Sequence, residues 1–149
     1  MAENTEKLSF QINAQFLKNL SFENPKSVKS LKKLEKAPSL KLNADVKSSK
    51  LNEEGEDIYE VNLVIKGETS SDKDVLFKLE SEYTGIFTIQ NAKDDILDRI
   101  LKIECPKFLF PYIRAVISNT TREAGFPPLS VAPLDFASLY NAKNTKKKK

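Results

Sequence analysis

Histidine is absent from this chain of 149 residues, and cysteine occurs once, as Cys105. Without histidine, the chain lacks the most common general base and cannot form Ser-His or Cys-His nucleophile pairs. It also lacks the most common zinc ligand, and a single cysteine can form neither a zinc-binding cluster nor an internal disulfide. The four glycines are too dispersed for a phosphate-binding loop. Carboxylates remain plentiful, but we expect no enzyme, no metal site and no cofactor.

Long apolar runs are also missing from the sequence. No run approaches the ~18 residues that a membrane-spanning helix needs. Residues 1–7 are polar and lack the apolar stretch that is typical of a signal peptide. A lone cysteine also fits a reducing compartment. We therefore expect a cytosolic protein.

The positive net charge of the chain is concentrated in two lysine clusters. Removing the five lysines of the last seven residues from the formal net charge of +3 leaves −2 for the rest of the chain. These five are Lys143 and Lys146 to Lys149, and the second cluster consists of Lys26, Lys29, Lys32, Lys33 and Lys36. Such clusters can bind nucleic acid or anionic membranes, but more often they are a solvated loop and tail.

Four segments alternate apolar and polar side chains with the period of a half-buried strand. They are residues 10–16 (with Leu20 and Phe22 beyond an irregularity at 17–19), 40–46, 59–65 and 75–83. Polar turns at 52–55 and 67–74 join the last three segments, which predicts antiparallel neighbours.

A helical period replaces the strand pattern after Asp94 and Asp95. We expect a first helical segment around residues 96–101, an interruption at Cys105 and Pro106, and a long helix from there to Gly125, with Pro111 near its first turn. A short helix should follow Asp135. Strands first and helices after predict an α+β fold. We predict a single domain at residues 1–141 and a disordered lysine-rich tail at 142–149.

Apolar side chains exceed what one four-stranded sheet can cover. The long helix is apolar nearly all round between Phe108 and Ile113, and the connector 126–133 is apolar where an ordinary loop is polar. Both features favour an oligomer interface or a broad hydrophobic binding groove. A compact monomer whose connector covers its own core is an equally open alternative.

Several segments resemble the SecB family of bacterial export chaperones. The resemblance rests on Ile103-Glu104-Cys105-Pro106-Lys107-Phe108-Leu109-Phe110-Pro111-Tyr112-Ile113-Arg114, on residues 125–140 (Gly-Phe-Pro-Pro-Leu-Ser-Val-Ala-Pro-Leu-Asp-Phe-Ala-Ser-Leu-Tyr), on Thr84-Gly85-Ile86-Phe87-Thr88-Ile89 and on Ser21-Phe22-Glu23-Asn24-Pro25. The segments follow the family's order and span about residues 10 to 140.

The resemblance implies a SecB-like sheet with one long and one short C-terminal helix, assembled as a dimer of dimers, a homotetramer. It also implies a cytosolic chaperone that holds unfolded preproteins without ATP, has no small-molecule substrate and delivers its clients to the motor ATPase SecA. The client groove implied by the resemblance comprises Leu40, Leu42, Ala44, Phe136, Leu139 and Tyr140. The three residues of the second strand could equally be an inward strand face, and Ala44 is smaller than the residue that the family commonly has there.

For SecA docking, the resemblance implies an acidic surface with Glu23 and Glu80. Two positions depart from the family, because Asn19 is neutral where an acidic residue is expected and Lys78 is positive where an apolar one is expected. The lysine tail also differs from the family's commonly acidic end. We therefore expect weaker or differently arranged docking.

Two alternatives stay open at this stage. The first is a SecB-like chaperone with a duty other than export, such as guarding a toxin-neutralising partner or general holding. The second is a nucleic-acid-binding protein that uses the lysine clusters, which the composition makes the weaker hypothesis.

Overall fold

The computed structural model describes residues 7–31, 38–51, 57–72 and 74–147. Its strands are β1 (Ser9–Glu23), β2 (Ser39–Lys50), β3 (Ile58–Ser71) and β4 (Asp74–Gln90). Its helical segments are a 3-10 turn (Ser27–Leu31), α1 (Asp94–Arg99), a π segment (Ile100–Glu104), α2 (Cys105–Glu123) and α3 (Phe136–Lys147). The strands form one antiparallel sheet in the order β1-β4-β3-β2. This architecture confirms the predicted α+β fold with a four-stranded antiparallel sheet and one long and one short C-terminal helix.

The hairpin between β3 and β4 is tighter than the sequence predicted. Most of the predicted turn at 67–74 belongs to the strands, and the chain reverses between Ser71 and Asp74. Asp72 adopts a φ of 53°, a left-handed conformation that aspartate tolerates better than most residues. The prediction was wrong because polar and small side chains in this part of β3 hide the alternation that marks a strand. The other predicted turn, at 52–55, lies outside the described residues, as do Lys32, Lys33, Lys36, Lys148 and Lys149 of the lysine clusters.

Because of two register shifts, the apolar side chains of β1 do not all lie on the same face of the sheet. The shifts lie between Ile12 and Ala14 and between Leu17 and Asn19, the second at the predicted irregularity. We call the face that contacts α2 the inner face and the opposite one the outer face. Because a shift of one residue reverses the side-chain direction, Ile12 pairs with Phe87 on the inner face while Phe16 lies on the outer face.

The helical part of the chain is continuous from Asp94 to Glu123, so the predicted interruption at Cys105 and Pro106 was wrong. The π segment bridges this position, and the N–H of Cys105 donates to the carbonyl of Ile100, five residues earlier. An i to i−5 bond beside Pro106 accommodates the N–H that proline lacks. Pro111 lies inside α2, well past its first turn. As predicted, Gly125 terminates the helix: α2 ends at Glu123, and Gly125 follows two residues later with a φ of 94°.

The core lies between α2 and the inner face of β3 and β4. Its fully buried side chains include Leu63, Ile65, Phe87, Leu109, Ile113 and Ile117. A Cβ on Gly85 would lie 2.5 Å from Cε2 of Phe87 and 3.0 Å from Cδ2 of Leu109, so the missing side chain leaves room for the Phe87 ring and for α2.

The connector covers part of the core, as the compact alternative had it. Phe126 and Val131 are buried, whereas Phe108 and Tyr112 on α2 stay 38% and 42% exposed. Within one chain, the connector therefore covers only part of the exposed apolar surface.

The C-terminal helix begins with a capped first turn and is longer than predicted. Asp135 accepts hydrogen bonds from the backbone N–H and the hydroxyl of Ser138, at 3.0 Å and 2.7 Å, which caps α3. These bonds lower the pKa of Asp135. The helix continues to Lys147, inside the segment predicted to be disordered, because no glycine or proline follows Asp135 to end it. The division into one domain and a tail stays a prediction.

Candidate client groove and docking face

The inner side of edge strand β2 carries an apolar row that runs along the border of the core. Leu40, Leu42 and Ala44 lie opposite Thr69, Gly67 and Ile65 of β3. Leu42 and Ala44 are half-buried and contact the core cluster, whereas Leu40 is 41% exposed. The edge position leaves this row with a sheet neighbour on one side only.

One end of the row opens into a cavity that we call the α3 hollow. It has a volume of about 250 Å³ and is bordered by Ala44, Val46, Leu139 and Tyr140, with charged side chains at its rim. Three of the six predicted groove residues, Ala44, Leu139 and Tyr140, thus come together at one place.

Polar contacts hold α3 over this hollow. The hydroxyl of Tyr140 donates to Oδ2 of Asp98 at 2.6 Å, and the guanidinium of Arg99 lies 5.9 Å from the centre of the same ring. Lys143 forms an ion pair with Asp45 of β2. Burial alone would raise the pKa of Asp45, but the hydrogen bond and charge of Lys143 outweigh it, so that the pKa lies below its ordinary value.

Phe136 lies apart from the predicted groove. It is 4% exposed and contacts Phe110 edge-on, with the ring centres 6.2 Å apart. In this structure it anchors the start of α3 in the core and presents no surface to a client. In the sequence, Phe136, Leu139 and Tyr140 share one apolar helical pattern, and this pattern does not indicate which of the three is buried.

A second cavity, the connector hollow, lies at the other end of the β2 row. It has a volume of about 490 Å³ and an apolar lining that includes Leu40, Leu76, Phe77, Phe126, Pro127 and Leu129. Phe77 and Phe126 form a ring cluster with Phe22, with centre distances of 4.9 to 6.0 Å. One feature of the sequence, the apolar connector, indicated this site, but the aromatic residues of β1 and β4 that contact the connector were not predicted.

Glu23 and Glu80 lie together on the outer face, beside a shallow hollow of about 350 Å³. Glu23 lies opposite Lys78, and Glu80 lies between Ser21 and Lys66. The ammonium of Lys66 is 3.7 Å from Oε1 of Glu80. The predicted docking residues are thus neighbours, but each lies directly beside a lysine. Asn19 precedes Ser21 by two residues on β1 and lies opposite Glu82 of β4.

Further exposed apolar side chains lie on edge strand β1 and on the neighbouring part of α2. They are Phe10, Phe16, Leu17 and Leu20 of β1, of which Phe16 lies on the outer face, and Phe108 and Tyr112 of α2. Phe10 and Phe108 border one cavity of about 410 Å³. An exposed edge strand with several large apolar residues is typical of a strand that is covered in an assembly.

Cys105 has no nucleophilic role at this site. It is fully buried, and burial, together with the charge of Glu104, raises the pKa of its thiol to about 12. At neutral pH the thiol is therefore protonated and enclosed.

Comparison with known proteins assigns the chain to a family. Residues 3–147 match the family described as "Preprotein translocase subunit SecB". The protein-export protein SecB of Bartonella bacilliformis is 40% identical over 144 residues, which cover 97% of this chain and 89% of that one. The SecB of Rickettsia felis is 39% identical over 132 residues, covering 89% and 86%.

A solved structure agrees with this assignment at the level of the fold. A SecB-like chaperone of Mycobacterium tuberculosis, solved in complex with a peptide from an antitoxin, superposes with a TM-score of 0.68 at 16% identity. The match covers 84% of this chain and 90% of that one. The family match, the sequence identities and the shared fold together establish that this chain belongs to the SecB family of protein-export chaperones.

Proposed function

We propose that this chain holds unfolded preproteins without ATP and delivers them to SecA for export after synthesis. The observation that carries the proposal is the apolar row on the inner side of β2, which connects the α3 hollow with the connector hollow. Together they offer an extended client two apolar depressions joined by half-buried Leu42.

The physical demand on such a groove is apolar area that tolerates many sequences. An unfolded chain presents varied apolar side chains, and each Å² that it buries contributes roughly 25 cal/mol. Part of this gain is lost in ordering the client. Cavities of about 250 Å³ and 490 Å³ accept side chains of different size without a fixed shape, which suits a holding chaperone.

The outer face supports a second proposal, which is that SecA docks on the hollow of about 350 Å³ through Glu23 and Glu80. Glu23 is exposed and Glu80 is half-buried, on the face opposite the client row. A client and the motor could therefore occupy the chain at the same time.

The apolar surfaces on β1 and α2 support assembly into a dimer of dimers. A dimer of dimers needs apolar contact area both within each dimer and between the dimers. Within the described residues, no helix is long and apolar enough to cross a membrane. We place the assembly in the cytosol.

Client capture tests the holding function directly. Light scattering behind size exclusion measures the mass of the chain alone, with an unfolded preprotein, and with the same protein folded. We expect a complex with the unfolded form only, and formation without nucleotide. Capture of neither form would contradict the proposal.

Two substitutions test the groove itself. Leu40→Glu in the connector hollow and Leu139→Glu in the α3 hollow should each weaken client binding by roughly tenfold. The reason is that burial of one leucine contributes about 1.5–3 kcal/mol, of which about 1.4 kcal/mol corresponds to tenfold. Leu51→Glu is the matched control, because Leu51 is an exposed leucine just beyond β2 and away from both hollows. Equal effects of all three would show that the groove lies elsewhere.

A holding duty outside export is the second candidate. The SecB-like chaperone of Mycobacterium tuberculosis was solved with an antitoxin peptide, and Lys78 and Asn19 make the outer face less acidic. Binding of SecA that is lost on Glu80→Lys would exclude this candidate, whereas client capture without any SecA binding would favour it.

A further inference from the structure

A row of four charged side chains crosses the outer face with alternating sign. The register aligns Glu23 of β1 with Lys78 of β4, Lys78 with Glu68 of β3, and Glu68 with Lys41 of β2. We call this set the charge row. All four residues border the hollow of about 350 Å³.

The members of the charge row do not neutralise one another by direct contact. Neighbouring strands lie about 4.8 Å apart, yet no member of the row forms an ion pair with another within the part of the chain that the structure describes. Glu23, Lys78 and Lys41 are exposed, and Glu68 is half-buried. The charged groups therefore stand free for an incoming partner to contact.

The other carboxylates of the outer face, in contrast, form ion pairs with lysines. Glu80 pairs with Lys66 at 3.7 Å, and Lys18 lies 3.7 Å from Glu60 and 4.0 Å from Glu82. Since each carboxylate in this region has an ammonium beside it, a uniformly basic partner would meet about as much repulsion as attraction.

We propose that the charge row docks a SecA segment of mixed charge, with an acidic residue that faces Lys78 between basic residues that face Glu23 and Glu68. This inference rests on the proposed delivery to SecA and specifies the chemistry of the docking segment. Complementary order along the row, and not net negative charge, selects the partner.

Two variants separate charge order from net charge. Lys78→Glu makes the surface more acidic, and the double variant Glu23→Lys/Lys78→Glu exchanges the first two charges of the row without changing the net charge. Lys47→Glu is the matched control, because Lys47 is an exposed lysine on the outer face of β2, opposite Asn62 and away from the row. Calorimetry with the SecA encoded by the same genome measures the affinities, and thermal melts verify that each variant folds.

We expect Lys78→Glu and the double variant each to weaken SecA binding by at least about fivefold, while Lys47→Glu changes it by less than about twofold. Tighter binding by Lys78→Glu with an unchanged double variant would overturn the mixed-charge segment but leave the delivery function intact. Unchanged affinity in both variants would also overturn the mixed-charge segment. If wild-type protein fails to bind SecA while it captures unfolded clients, both the inference and the delivery step are overturned, and the holding function stands.

Discussion

Cys105 shows how burial controls the chemistry of a single side chain. The thiol is fully enclosed where the π segment meets α2, and its pKa rises from the ordinary value of 9.0 to about 12. Because the folded state holds the proton more tightly than the unfolded state, this contribution to stability is complete below pH 9 and disappears as the pH rises toward 12.

We therefore predict that native Cys105 resists thiol reagents at pH 8 and reacts only on unfolding. Thermal melts between pH 8 and 11 should also lose stability more steeply for the wild type than for Cys105→Ala, which lacks the titrating group. Fast labelling of native protein, or parallel pH profiles of the two proteins, would contradict this account.

Gly85 offers a second prediction at this scale. A Cβ there would lie 2.5 Å from Cε2 of Phe87 and 3.0 Å from Cδ2 of Leu109, both in the fully packed core. Gly85→Ala should lower the free energy of unfolding by about 1–3 kcal/mol through overpacking, as measured by urea denaturation.

Gly67→Ala is its control. The added methyl would meet only Cδ2 of Leu42, at 3.1 Å, which is the end of a flexible and half-buried side chain. We expect a smaller loss of stability, and an equal loss in both variants would show that tight packing against Phe87 and Leu109 is not what requires Gly85.

Among the elements, α3 depends on a few polar contacts beyond its buried start. Reversing Lys143 to glutamate removes the ion pair with Asp45 and places two carboxylates together. Hydrogen exchange of the amides around Leu139 should accelerate by about two- to fivefold, the modest effect of an exposed pair. The swap Lys143→Glu/Asp45→Lys should restore slow exchange, and its failure to do so would show that the pair does not hold the helix.

The same contact has a pH dependence whose sign follows from the pKa of Asp45. That pKa is lowered in the folded state, so the contribution is present above the ordinary value near 3.8 and is lost as the pH falls through the folded value. At neutral pH Asp45 stays charged, so the hydrogen-exchange rates of the α3 amides should not change with pH through this pair. They should rise only in acid, where Asp45 becomes protonated.

The strands were largely predictable from sequence, because one buried face imposes a period of two on the apolar residues of β2, β3 and β4. The pattern failed at residues 67–71, where glycine, serine and threonine carry no contrast between the faces. The π segment was not predictable, since Pro106 signals a break and only the tertiary packing of Ile100, Leu101 and Ile103 sustains the helix through it.

The candidate groove was predictable in part for the same reason. Strand alternation and family resemblance together gave Leu40, Leu42 and Ala44. The connector hollow depends on contacts between β1, β4 and the connector that are distant in sequence, so no local pattern could predict how Phe22, Phe77 and Phe126 meet.

At the scale of the whole molecule, the uncovered apolar surfaces predict assembly. The wild type should have four times the 16.8 kDa mass of one chain by light scattering. Leu17→Lys on β1 and Tyr112→Lys on α2 should each halve that mass, because burying an unpaired ammonium in an interface is costly. Ile96→Lys is the control at an exposed apolar residue of α1. A monomeric wild type, or variants of unchanged mass, would contradict the dimer of dimers.

The compensated charges of the outer face also set how fast a partner can arrive. The field of paired opposite charges falls off faster with distance than that of a single charge, and salt screens it further over a Debye length of roughly 8 Å at physiological ionic strength. Lys18, Lys66 and Lys78 thus leave little long-range attraction to guide a partner toward the sheet. Association without such steering proceeds at about 10⁵–10⁶ M⁻¹s⁻¹ rather than at 10⁸ or above. If SecA docks on this face as proposed, we expect its association rate to change only slightly with ionic strength.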